Sequence, residues 1–484
     1  MRAAICVQEA WGAGGGRHCA YGNSTNFEPI DSAARPRVTL IAVLVGLLYI
    51  ALAVVLLRHG KAWVNPVFFI LIFYLFNYPV RAFLLAEYPD RFNAYSFNEG
   101  EILAGLAYAT CYVLVFVGTY LLLLDRFRVR FDFAQLREGI LDRRLFFVSA
   151  LLVLLSGAVT FGYEVSVGGA FSLGGDIEEL RRPFWVNVAG LPYSLRFFAV
   201  CMGLLLWFRS RDWLAALATA ALLALLVLEA ILTTGKGVVA ALLLLLLFLD
   251  NLLNGRVLRP SLIVAGTVVL VVFSTYSYYA RYAGGIALES LQDYGEYFSA
   301  FVTEDILQAI AEQLDRIFDR GTYFLDALIL MSRTEVAPDQ GPYALGSLVE
   351  LLNLVPRAFD IVEGQYSFDR HVTLAVWGEL AFSQVFVGRM GESYFVLGFA
   401  GLVYAVVHAA IFAYVASWWP RLSRNIAGIS LYTAILLGWL YQDASLTYQV
   451  KNLIAILLCY ALVRMAARMT LRGRRGAVRR PAPV

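Results

Sequence analysis

Basic side chains gather where a membrane-spanning chain ordinarily lacks them. Arg181 and Arg182 stand together before Pro183, Arg281 closes an apolar run, and Arg357 follows Val355-Pro356. Arg370 and His371 are neighbours, and Arg389 precedes Glu392 by less than one helical turn. Lys236 lies in Thr233-Thr234-Gly235-Lys236-Gly237, between two leucine-rich runs. A guanidinium suits phosphate because its planar fork engages two oxygens at once, so the set points to a bound anion. Glu392 and His371 are the nearby groups able to take a proton. The competing account is ion pairing with Glu178, Glu179, Asp360, Glu363 and Asp369, and for Lys236 a side chain snorkelling to the interface. The Gly-Lys pair lacks the GxxxxGK[ST] spacing of a phosphate loop, which removes a nucleotide reading. Four scattered histidines and the absence of a CxxC pair speak against zinc or haem. No metal and no cofactor is expected.

The elements that must position these residues follow from composition. The chain has 484 residues, 60% hydrophobic and 15% charged, with mean hydropathy +0.68. A water-soluble domain carries about a quarter charged residues, so lipid must cover the surplus apolar surface. A hydrocarbon core about 30 Å thick needs roughly 20 apolar residues of helix. That rule predicts about 11 spans, near 38–57, 64–85, 102–124, 145–161, 191–208, 213–232, 238–253, 261–280, 394–416, 426–441 and 450–466. The expected fold is an all-α polytopic membrane protein. Its organisation is a Gly-rich tail over 1–34 (disordered or non-native), a bundle over 35–280, a large loop over 281–393, further spans over 394–466 and a basic tail over 467–484. Cys111, Cys201 and Cys459 fall inside spans as buried thiols, whereas Cys6 and Cys19 sit in the amino-terminal segment and have the option of pairing.

Basic residues also orient the chain. Arg126, Arg128, Arg130, Arg137, Arg143, Arg144, Arg209, Arg211, Arg256, Arg259, Arg421 and Arg424 fall in connections that share one side if the spans alternate. The arginines of the carboxyl tail join them. Short-loop arginine marks the cytoplasmic side, so no nucleic-acid partner is needed to explain the tail. Loops 86–101, 162–190 and 281–393 then face the other side. The last is far longer than a connector requires, which marks it as functional. Within it Ile306, Ile310, Leu314 and Ile317 recur at helical spacing and predict an amphipathic helix packed on the bundle or the membrane face.

Three local sequences carry a resemblance. Asn65-Pro66-Val67-Phe68-Phe69 opens the second span, and Thr234-Gly235-Lys236-Gly237 forms a turn after a mid-chain span. Val355-Pro356-Arg357 is followed by Gly391-Glu392-Ser393-Tyr394 and Gly398-Phe399-Ala400-Gly401 at the next helix entry. Together they resemble the O-antigen polymerases of the Wzy type, the oligosaccharide repeat unit polymerases, over most of 38–466. The paired RX10G stretches of some members are absent, so the roles of those arginines do not transfer by position.

The resemblance implies a metal-independent membrane glycosyltransferase of GT-C-like architecture in the bacterial inner membrane. Its substrate would be an undecaprenyl-pyrophosphate-linked oligosaccharide, polymerised into O-antigen, capsule or exopolysaccharide at the periplasmic face. A chain-length regulator and a flippase would be its partners. In that chemistry Arg181, Arg182, Lys236, Arg281, Arg370 and Arg389 would hold pyrophosphate, with Arg357, Glu392 and His371 as the catalytic set. Tyr343, Tyr366, Trp377 and Tyr394 are available to stack on sugar faces. An O-antigen ligase-like transferase is the nearest alternative, and a polysaccharide transporter or flippase the more distant one. Transporters favour internal repeats and broken helices at the membrane midplane, whereas the charges of this sequence gather toward one face. Glu229 is the carboxylate expected inside a span near that face.

Overall fold

The computed structural model describes residues 35–93, 96–132, 136–139, 141–166, 184–233, 236–257, 259–282, 324–333, 388–440 and 446–478. These residues are helical almost throughout. The β pairing among them is an isolated bridge between Gly60 and Phe131. The principal helices are α1 (Arg35–Leu56), α2 (Pro66–Leu75), α3 (Arg81–Glu87), α4 (Glu99–Phe127), α5 (Asp142–Ser166), α6 (Arg196–Ser210), α7 (Trp213–Thr233), α8 (Lys236–Asn254) and α9 (Pro260–Tyr282). They continue with α10 (Phe324–Arg333), α11 (Gly388–Leu397), α12 (Leu402–Ala416), α13 (Ile426–Ile435) and α14 (Leu446–Val478).

Among the described residues, 9 helices are long and apolar enough to cross a membrane. The expected span near 261–280 falls within α9, Pro260–Tyr282, and the one near 426–441 begins with α13, Ile426–Ile435. Leucine and valine side chains such as Leu40, Leu44, Leu122 and Val264 point outward and exposed, the arrangement that lipid requires and water penalises. The span expected at 394–416 runs from Gly398 to Leu422. The expected start at 394 lies instead within α11, a separate helix of 10 residues.

Local chemistry accounts for the helix starts. Asn65 caps α2 by accepting from the Val67 N–H, with Pro66 in the first turn, where its missing N–H costs nothing. Asn98 and Glu101 form a reciprocal capping box on α4. Between α2 and α3 the chain widens into a π turn over Phe76–Val80 that contains Pro79, and Asn77 Nδ2 donates to the Phe73 carbonyl 3.0 Å away. Proline removes a ladder donor, and a local π turn is one way a helix in lipid accommodates it.

The connections at one end of the bundle hold each other. Phe131 N–H donates to His59 O at 2.8 Å, and the Ile426 N–H donates to Arg137 O at 3.2 Å. Trp63 Nε1 donates to Val257 O at 2.6 Å, and Trp419 Nε1 donates to Asp132 O at 3.1 Å. Arg143 pairs with Asp212 at 2.8 Å. This is the end that carries Arg126, Arg128, Arg130, Arg209, Arg256 and Arg421, so alternation of the spans gathers the short-connection arginines as the sequence predicts. At the far end Thr39 donates to Glu87, and Arg37 approaches Glu99 at 3.6 Å.

Candidate functional site

Two short helices, α10 and α11, are buried in the bundle. Every residue from Phe324 to Ile329 and from Gly388 to Ser393 is buried. On α10, Leu325 and Ile329 lie against Gly105 of α4, where any Cβ would meet them at 3.0 Å. Phe324 meets Phe73 edge-on at 5.5 Å. Asp326 receives Arg81 of α3 through Nε–Oδ1 at 2.9 Å and Nη2–Oδ2 at 2.5 Å.

Helix α11 folds back along α12. At their junction Gly398 has φ +57°, a left-handed conformation that glycine adopts without a Cβ clash. Gly401 lies so close to the Ser393 carbonyl oxygen that a Cβ would stand 2.2 Å from it. Ser393 Oγ donates to Met390 O at 2.7 Å, so the Tyr108 hydroxyl, 2.9 Å away, donates to Ser393. Tyr108, Tyr394 and Phe399 stack edge-to-face around this contact, with centroids 4.9 to 5.9 Å apart. The Gly391-Glu392-Ser393-Tyr394 and Gly398-Phe399-Ala400-Gly401 sequences therefore build one helical hairpin.

That hairpin sets the depth of Arg389. Its guanidinium carbon lies 4.9 Å from the ring centroid of Phe412, near the middle of the 25-residue span Gly398–Leu422. A rise of 1.5 Å per residue places Phe412 about 20 Å along that helix from Gly398. Arg389 is 0% exposed and Glu392 is 1% exposed. Their spacing puts both on one face of α11. One turn above Phe412, the His408 ring lies beside the same face, and its Nδ1 is 2.5 Å from the Tyr112 hydroxyl of α4. A cation, a carboxylate and an imidazole thus lie buried where α4, α11 and α12 meet. The arrangement combines an anion-holding group with one that accepts a proton. Among the described residues no group of three His, Cys, Asp or Glu side chains could hold a metal.

No protein-family model, no curated protein and no solved structure matches the chain.

Arg389 and Glu392 are the two sequence candidates that the structure brings together. Arg181, Arg182, Arg357, Arg370 and His371 lie outside the described residues, as do Tyr343, Tyr366, Trp377, the predicted amphipathic helix at 306–317, Cys6 and Cys19. Lys236 begins α8 and Arg281 falls in the last turn of α9, and their side chains are likewise outside the description. Glu229 accepts from the Tyr193 hydroxyl at 2.5 Å and lies 3.9 Å from Arg196 Nε. Arg196 rests on the Tyr193 and Phe197 rings, 4.9 and 5.0 Å from their centroids. Asn65 of the first resemblance sequence is a buried tie: it accepts from Tyr120 at 2.8 Å, and the neighbouring Val64 carbonyl accepts from Tyr432 at 3.1 Å.

Sequence reasoning missed Arg81, Asp326, Tyr112 and His408. Each interrupts an apolar helical run, and an ionisable residue in such a run is itself the signal. Of the charges expected at one face, Arg389 lies deeper than its sequence position suggests, against Phe412 well inside the span Gly398–Leu422. The physical reason is that α10 and α11, counted by sequence as loop, are packed inside the bundle.

Proposed function

We propose that the protein polymerises undecaprenyl-pyrophosphate-linked oligosaccharide repeat units into a surface polysaccharide at the periplasmic face of the bacterial inner membrane. The observation that carries this reading is the pairing of Arg389 and Glu392 on one face of a buried helix drawn from the long loop. In the reaction an acceptor sugar hydroxyl attacks the anomeric carbon of the donor chain. The new glycosidic C–O bond forms as the bond to the pyrophosphate oxygen breaks. The leaving pair of electrons stays on pyrophosphate, where Arg389 offsets the charge, and Glu392 takes the hydroxyl proton. A fixed cation aimed at a developing anion is the largest single contribution in many such sites. Arg357, His371, Arg370, Arg181, Arg182, Lys236 and Arg281 complete the site in this reading, which draws them from the resemblance and from their chemistry.

One observation favours a second reading. Buried charge at mid-depth beside a short re-entrant helix is the usual architecture of a transport pathway, and Arg389 lies at that depth. Deletion of the gene followed by glycan analysis separates the two. Polymerase loss leaves single repeat units accessible at the periplasmic face. Transporter loss leaves lipid-linked repeat units on the cytoplasmic side, protected from enzymes added outside. Full-length polymer accumulating on the lipid carrier would instead identify a ligase.

A further inference from the structure

We infer that His408 Nε2 is a second hydrogen-bond donor to the anion that Arg389 holds, in a site shared by α4, α11 and α12. His408 is 1% exposed, and its Nε2 has no hydrogen-bond partner among the described residues. Its Nδ1 faces the Tyr112 hydroxyl at 2.5 Å. A phenol is a stronger acid than a neutral imidazole, so Tyr112 donates and Nδ1 accepts. The neutral ring then carries its proton on Nε2. An N–H buried at mid-depth without an acceptor is costly, and that cost ends when an acceptor oxygen arrives. Arg389 and His408 both border Phe412: the Arg389 guanidinium lies over its ring, and His408 sits one turn away on α12. Two donors of different shape converge there, a planar fork and a single N–H. Together they suit a tetrahedral oxyanion such as phosphate or pyrophosphate. Tyr112 fixes which nitrogen bears the proton and is a positioning residue.

The inference rests on α11 being the anion-holding helix. Its test uses the full chain in nanodiscs with two probes, undecaprenyl pyrophosphate in the bilayer and inorganic pyrophosphate in the buffer. The readout is the affinity derived from thermal stabilisation. The amide nitrogen of Gln occupies the place of Nε2, whereas that of Asn occupies the place of Nδ1. His408→Gln is expected to retain binding within a few-fold. His408→Asn and His408→Phe are expected to lose about ten- to hundredfold. Tyr112→Phe, which leaves Nε2 in place, is expected to bind within about tenfold of the original. Stabilisation by the lipid probe alone assigns the anion to a lipid headgroup, and stabilisation by both assigns it to pyrophosphate in general. Equal affinity across the His408 variants, rescue by Asn rather than Gln, or no binding of either probe would each overturn the inference. If His408→Asn fails to fold, affinity in His408→Phe equal to that in His408→Gln would overturn it instead. The polymerase reading fails separately, when deletion leaves surface polymer unchanged.

Discussion

Arg81 and Asp326, 245 residues apart in sequence, meet through two parallel hydrogen bonds inside the bundle. Arg81 also donates to the Phe92 carbonyl at 3.2 Å and lies 5.5 Å from that residue's ring centroid. The pair ties α10 to the stretch just after the π turn. Removing one partner strands a buried charge, which costs about 3–5 kcal/mol, whereas replacing both with apolar groups is often neutral. Arg81→Met alone should therefore lower the unfolding midpoint of the detergent-solubilised protein markedly. The double variant Arg81→Met with Asp326→Leu should regain most of the loss. Equal midpoints for the single and double variants would show that the pair does not hold α10.

The hairpin of α11 and α12 depends on close backbone approach at Gly401. Gly401→Ala puts a methyl group 2.2 Å from the Ser393 carbonyl oxygen and 2.7 Å from the Tyr108 hydroxyl, a clash that only movement of α11 relieves. The variant is expected to lose most folded protein, measured as the monodisperse fraction in size-exclusion chromatography. Tyr108→Phe removes one hydrogen bond and should cost only about 1 kcal/mol. Normal yields of Gly401→Ala would mean that the hairpin opens without penalty.

Arg389→Ala should abolish long-chain polysaccharide in a deletion strain complemented at equal membrane abundance. Loss of one such electrostatic contact costs about 10²–10³ in rate. Arg389→Lys should restore only part, since an ammonium offers no fork. Glu392→Gln should lower the rate by about 10²–10⁴ if Glu392 takes the acceptor proton. Arg357→Ala and His371→Ala are expected to fail in the same assay. Wild-type chain-length distributions from both Arg389→Ala and Glu392→Gln would remove α11 from the chemistry.

Sidedness is testable without function. In a background whose native cysteines are replaced, Ser96→Cys lies at the far end of the bundle and Arg424→Cys at the arginine-rich end, both exposed. A membrane-impermeant thiol reagent should label the first in spheroplasts and the second only after lysis. The reverse pattern would invert the topology.

Much of the framework is legible in the chain itself. Runs such as Ala240–Leu249 announce spans because lipid demands apolar helices, and Asn65-Pro66 and Asn98 with Glu101 announce helix starts because helix ends need donors satisfied. The candidate site was legible in part. Arg389 and Glu392 stood out as charges beside an apolar helix, but their depth did not, since depth follows from the reversal at Gly398 and the fit of Gly401 against Ser393. Tyr112 and His408 are 296 residues apart, and no local pattern links them. The ion pair of Arg81 and Asp326 was hidden for the same reason, with α10 read as part of an external loop.

The return of α11 into the bundle constrains how the protein is made. Its 10 residues include an arginine and a glutamate, and a bilayer-crossing helix needs roughly 20 apolar residues. The insertion machinery therefore has no reason to retain this segment when it passes. Its place in the bundle comes instead from packing against α4 and α12. When it is made, α4, with Tyr108 and Tyr112 in place, has long been in the membrane, because synthesis runs from the amino terminus. Helix α11 is seated against α4 once Gly398 turns and Ser393 meets Tyr108. This part of the interior is filled after α4 has been made, by a segment that tertiary contacts rather than its own hydropathy hold in place.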